Sequence, residues 1–115
     1  MKVLFSREFG IDKKLLERAG VFDALIDGDR GTDKTVVEIK LTSNNQCVHG
    51  LEVQIEEYAK SEGTKNKIFV LVDTGDGSFR IKDVLKKHKE MLERGENPAD
   101  VIVIDAKPKA SASMY

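Results

Sequence analysis

At 115 residues, 40% of them hydrophobic, the chain is long enough for one buried core and too short for two. Its longest apolar runs, such as Ile68–Val72 and Val101–Ile104, are too short for a membrane-spanning helix or a signal-peptide core. A net charge of −1 excludes a protein that coats nucleic acid through a strong basic stripe, while a single cysteine, Cys47, and two histidines, His49 and His88, exclude a disulfide framework and a zinc site.

In chain order, Met1–Phe5 reads as a short edge strand or a loose start. Asp12 is an N-cap residue for a short helix through Lys13–Ala19, with Gly20 as its stop. Val21–Asp27 and Thr35–Thr42 read as strands joined by the Gly-containing turn 28–34, an antiparallel hairpin. After the polar loop Thr42–Gln46, apolar residues at 48, 51, 55, 58 and 59 predict an amphipathic helix over Val48–Glu62, closed by Gly63. Lys67–Asp73 is a buried strand. Phe79–Arg94 is a second long helix with Ile81, Val84, Leu85 and Leu92 inward and Lys82, Lys86, Lys87 and Lys89 on a solvated face. Asn97-Pro98 ends it before the strand Ala99–Asp105. The order α-β-β-α-β-α-β predicts an α/β fold: a mixed sheet, antiparallel at its start, flanked by helices. Residues 1–107 are read as one domain and 108–115 as a flexible C-terminal tail.

The chemistry concentrates in the second strand. Side chains two apart on a strand share a face, so Glu38 and Lys40 point one way while Val37 and Ile39 point the other. A carboxylate and an ammonium on an otherwise apolar strand are costly unless they are paired or bind something. In the antiparallel hairpin, parity puts Asp23, Asp27, Glu38 and Lys40 on one face. With the turn centred between Arg30 and Gly31, Asp23 faces Glu38 and Asp27 faces Lys34; a register two residues different sets Asp23 against Lys40. Carboxylates that close repel unless a cation lies between them, and hard divalent ions take carboxylate oxygens.

Asp23, a turn, then Glu38-Ile39-Lys40, followed on the next helix by Gln54-Ile-Glu-Glu-Tyr58, resembles the PD-(D/E)XK nuclease superfamily, nearest its RecB-like and lambda-exonuclease branch with a Gln-x-x-x-Tyr motif. The resemblance spans roughly residues 21–73. It implies a restriction-endonuclease-like sheet, here with one early strand missing unless Met1–Phe5 supplies it. It also implies a nuclease that hydrolyses phosphodiester bonds in nucleic acid, DNA in preference to RNA, in the manner of phage-defence or mobile-element systems. Asp23, Glu38 and the Ile39 carbonyl would hold Mg2+ or Mn2+, with Asp27 or Asp29 as alternatives to Asp23. Lys40 would act on the attacking water and the phosphate. Gln54 would position Lys40 or that water, and Tyr58 would pack the helix onto the sheet. Ser43 and Asn44, in the loop after the active strand, are candidates to touch phosphate or a metal-bound water. The missing strand leaves an open sheet edge, which predicts a homo-oligomer, most simply a dimer. A cytoplasmic protein with no membrane partner is expected. The competing reading is an inactive nuclease-fold core that serves nucleic-acid binding or dimerisation.

Overall fold

The computed structural model describes residues 2–5 and 34–108. The expected helix over Lys13–Ala19, the strand over Val21–Asp27, and Asp23, Asp27 and Asp29 lie outside the described residues. Four strands, β1 (Lys2–Phe5), β2 (Lys34–Leu41), β3 (Asn66–Asp73) and β4 (Asp100–Asp105), form one sheet in that order. Between β2 and β3 run α1 (Cys47–His49), a π-helical segment (Gly50–Gln54) and α2 (Ile55–Glu62), consecutive along the chain; α3 (Phe79–Glu93) joins β3 to β4.

All three strand pairings are parallel, which corrects the expected mixed sheet for the described residues. Lys34–Val37, assigned by the hairpin to an antiparallel partner at residues 24–27, pair instead with β1, from Lys2 opposite Lys34 to Phe5 opposite Val37. Parallel neighbours need a long crossover, and the segment between β1 and β2 is long enough to be one. Lys2–Phe5 is therefore a strand, and it ends the sheet among the described strands.

Sequential parallel strands with right-handed crossovers put their helices on one face, and the core divides accordingly. Val36, Phe69 and Leu71 meet Leu51, Ile55 and Ala59 of the first helical run and Val84 and Met91 of α3. Val37, Ile39, Ile68, Val70 and Val72 form a second cluster on the opposite face with Ile102 and Ile104. Both faces of β3 are buried, which is why Ile68–Val72 is continuously apolar and does not alternate. Gly63, in the left-handed region, closes α2 with its N–H on the Lys60 carbonyl.

The phase of α3 differs from expectation by one position. Val84 is inward, but Leu85 and Leu92 are 48% and 54% exposed, and Met91 is buried in their place. An i, i+7 spacing links 84 with 91 as well as 85 with 92, so the pattern alone does not choose between the stripes. Lys87 is not part of a free basic face: its Nζ lies 3.2 Å from Glu52 and 3.3 Å from Glu90. Those contacts, with the Glu52 hydrogen bond foremost, raise its pKa and tie α3 to the π-helical segment. Lys67 fastens the other end of the sheet. Its Nζ donates to Glu56 of α2 at 2.8 and 3.0 Å and to the Asn97 carbonyl before β4.

Candidate functional site

Glu38 and Lys40 lie on the helix-covered face of β2, 2% and 5% exposed, with Lys40 Nζ 3.3 Å from Glu38 Oε1. Their register partners on β3 are Phe69 and Leu71, so the two charges sit among apolar groups where charge interactions are strong. The contact is one of charge only. Among the described residues Glu38 Oε1 has no hydrogen-bond partner, and neither has Gln54 Oε1, also buried. Buried oxygens without a donor are uncommon and call for an explanation.

The roof over this pair is the π-helical segment. The Ile55 N–H donates to the Gly50 carbonyl, five residues back, a wide turn of the kind that often marks functional positions. A Cβ at Gly50 would lie 3.0 Å from Phe69 Cε2, 3.1 Å from Lys40 Cε and 3.4 Å from Gln54 Oε1. Gly50 thus lies against the Lys40 stem and the Gln54 amide at once. Tyr58, one turn on, is half-buried against the helix-side core. Ile39 turns its side chain to the other face, as strand alternation requires.

Ser43 and Asn44 are exposed and build the turn after β2. Asn44 Oδ1 accepts the Gln46 N–H at 2.7 Å, and the Asn44 carbonyl accepts the Cys47 thiol at 3.0 Å. That thiol also donates to the Leu41 carbonyl. Burial pushes its pKa up, against the opposing pull of Arg80 and Lys40, so Cys47 is a thiol at neutral pH and not a nucleophile.

At the carboxyl ends of the strands, where open α/β sheets hold ligands, a polar rim surrounds Asp73, the last residue of β3. Asp73 Oδ1 accepts the Ser78 hydroxyl at 2.6 Å and the Gly75 N–H at 3.0 Å, and Lys107 Nζ lies 3.6 Å from Oδ2. The Ser78 hydrogen bond, with Gly75 and Lys107, holds the carboxyl below its usual range against the opposing effect of burial. A depressed folded-state pKa stabilises above the ordinary carboxylate range, and that contribution is lost as pH falls through the folded value. Ser78→Ala should therefore cost about 1–3 kcal/mol near neutrality and move acid unfolding to higher pH, as read by urea melts over a pH series. An unchanged acid midpoint would remove Ser78 as the cause.

The rim is knitted to β2 as well. The Thr42 hydroxyl donates to the Asp76 carbonyl at 2.7 Å and accepts the Thr74 N–H at 3.2 Å, while Arg80 Nη1 donates to the Thr42 carbonyl at 2.8 Å. A recess of roughly 490 Å3 lined by Lys34, Glu62 and Gly63–Asn66 opens at the other end of the sheet, away from this chemistry.

The candidates separate accordingly. Glu38, Lys40 and Gln54 come together; Tyr58 supports the helix; Ser43 and Asn44 face solvent; Asp23 and Asp27 lie outside the described residues. Among the described residues no group of three or more His, Cys, Asp or Glu is placed to hold a metal, and Glu38 is the one candidate carboxylate that lies within them. Its Oε1, without a hydrogen-bond partner among the described residues, has the ligand chemistry a hydrated divalent ion accepts. Gly50 was missed in the sequence, although a glycine inside an amphipathic helical pattern is a signal for close approach.

The family model of a domain of unknown function (DUF8371) matches residues 17–76, more than half of the chain, and the chain belongs to that family. The match takes in β2, the helical run with its π turn and β3, together with Asp23 and Asp27, and it ends in the rim loop after β3. No curated protein and no solved structure matches the chain. Among the described residues no helix is long and apolar enough to cross a membrane.

Proposed function

We propose that this DUF8371 chain is a Mg2+- or Mn2+-dependent nuclease domain that hydrolyses phosphodiester bonds in nucleic acid, DNA in preference to RNA. The observation that carries this reading is the Glu38–Lys40 pair, buried in apolar surroundings beneath a π turn whose Gly50 lies against both the Lys40 stem and Gln54 Oε1. Uncatalysed phosphodiester hydrolysis is extremely slow, so preorganised charge must supply most of the acceleration. Glu38 and the Ile39 carbonyl, with Asp23 or Asp27, would hold the metal ion, which would supply charge neutralisation at the phosphate and an acidified water. Lys40 donates from Nζ to a phosphate oxygen and orients the attacking water. Gln54 accepts a hydrogen bond through Oε1, from Lys40 or from that water, and so fixes the direction of attack.

The near-complete burial of the pair favours one second reading: a catalytically silent core in which Glu38–Lys40 is a structural ion pair and the fold serves binding or dimerisation. The two readings part on metal. Under the first, Mn2+ titrated calorimetrically binds the wild type, and Glu38→Gln weakens binding at least tenfold and removes metal-dependent nicking of duplex DNA. Asp23→Asn or Asp27→Asn, whichever replaces a ligand, does the same. No heat of binding and no nicking, with EDTA as control, would reject the nuclease.

We also propose a homodimer. β4 ends the sheet among the described strands, and Leu85, Leu92 and Phe79 of α3 and Val103 of β4 are exposed, a surface a second copy would cover. Light scattering at micromolar concentration should return the mass of two chains; the mass of one would reject it.

A further inference from the structure

Gly50 has ordinary right-handed helical angles, φ −59° and ψ −43°, so its backbone does not require glycine. Glycine inside a helical run lowers stability relative to alanine, which leaves space as the reason for it. The space is specific. The position a Cβ would take is 3.0 Å from Phe69 Cε2, 3.1 Å from Lys40 Cε and 3.4 Å from Gln54 Oε1. Contacts that tight force neighbours to give by a few tenths of an ångström, and Lys40 Cε is the carbon that carries Nζ. Any displacement there passes directly to the ammonium and to its contact with Glu38.

We propose that Gly50, within the π turn, is a positioning residue for Lys40: its missing side chain is the slot that lets the lysine stem lie beside Phe69 and set Nζ against Glu38. The wide turn and the slot act together. The turn brings Gln54 over the strand, and the absence of a Cβ lets the helix descend far enough for Gln54 and Lys40 to share one buried space. Gly50 touches no reacting atom; it acts through Lys40. The catalytic consequence rests on the nuclease reading, whereas the geometric one does not.

The test uses Gly50→Ala and Gly50→Ala/Phe69→Leu in the full chain. Alanine adds helix propensity, so Gly50→Ala should fold, while the smaller leucine side chain in place of Phe69 relieves the 3.0 Å contact with the new methyl. With Mn2+ and duplex DNA, Gly50→Ala should lower kcat about 10- to 100-fold, the range a displacement of an ångström or less produces in an oriented site. KM and metal affinity should change only a few-fold. The double variant should recover at least tenfold of that loss, and Phe69→Leu alone should stay within a few-fold of wild type. In parallel, the 13Cε resonance of Lys40, identified by its loss in Lys40→Met, should shift in Gly50→Ala and return toward wild type in the double variant.

Wild-type kcat in folded Gly50→Ala, or an unmoved Lys40 resonance, would overturn the assignment. So would a loss of activity that only tracks the folded fraction and is not rescued by Phe69→Leu. If wild type fails to cleave but the Lys40 resonance moves and returns as described, the nuclease reading falls and the role of Gly50 in placing Lys40 stands.

Discussion

Lys40→Met should reduce metal-dependent cleavage by at least about 10²- to 10³-fold, the loss that follows removal of one preorganised transition-state donor. Methionine suits this test because its unbranched stem follows the path of the lysine past Gly50 and Phe69, where alanine would add a cavity to the loss of charge. The assay belongs at saturating Mg2+ or Mn2+, since without Lys40 the Glu38 carboxylate has lost its neighbouring countercharge in a site 2% exposed. Under those conditions KM and metal affinity should change far less than kcat, because Lys40 acts on water and phosphate and does not ligate the ion. Glu38→Gln should differ in kind, losing metal binding together with activity. Single-turnover cleavage of a supercoiled plasmid measures both. Cleavage by Lys40→Met at the wild-type rate would remove the lysine from the mechanism and with it the assignment of this strand.

Much of the scaffold for that chemistry was legible in the sequence. Thr35–Thr42, Val48–Glu62, Lys67–Asp73, Phe79–Arg94 and Ala99–Asp105 lie within a residue or so of the observed elements, since turn residues and apolar periodicity are local signals. The common face of Glu38 and Lys40 was legible for the same reason, being a consequence of strand alternation. The parallel pairing of β1 with β2 was not, because it joins segments separated by a long crossover and a hairpin is the simpler inference from adjacent strands. The π turn has no signature in residue spacing. Only Gly50 hints at it, and what that glycine makes room for depends on Phe69 and Lys40 from two different strands. The rim around Asp73 and Thr42 was hidden likewise, as its hydrogen bonds join the end of β2 to the loop after β3. On α3, Met91 displaced Leu85 and Leu92 because two stripes one residue apart are equally periodic and only the packed sheet distinguishes them.

The buried pair also carries a stability consequence that separates the two functional readings. Removing either charge alone should be severe. Lys40→Met or Glu38→Gln in metal-free protein leaves an uncompensated charge among Phe69, Leu71 and the helical roof, at a cost of about 3–5 kcal/mol. At roughly 4–8 °C per kcal/mol for a domain of this size, each single variant should melt well over ten degrees below wild type. The double variant Glu38→Gln/Lys40→Met should recover most of the loss, because replacing a buried pair by neutral side chains of similar volume is often neutral or stabilising. That recovery is expected whether or not the protein is an enzyme, and it establishes that the two side chains act on each other. Metal then discriminates. In a metal-binding site, Mg2+ or Mn2+ supplies Glu38 with a new countercharge. Lys40→Met should therefore regain about 2.7 kcal/mol at a hundredfold excess over the dissociation constant, while Glu38→Gln and the double variant regain nothing. In a structural ion pair, divalent ions leave all four proteins where they were. Thermal melts of the four proteins in EDTA and in Mn2+ read both effects, and a flat metal response in Lys40→Met would assign the pair to the fold and not to catalysis.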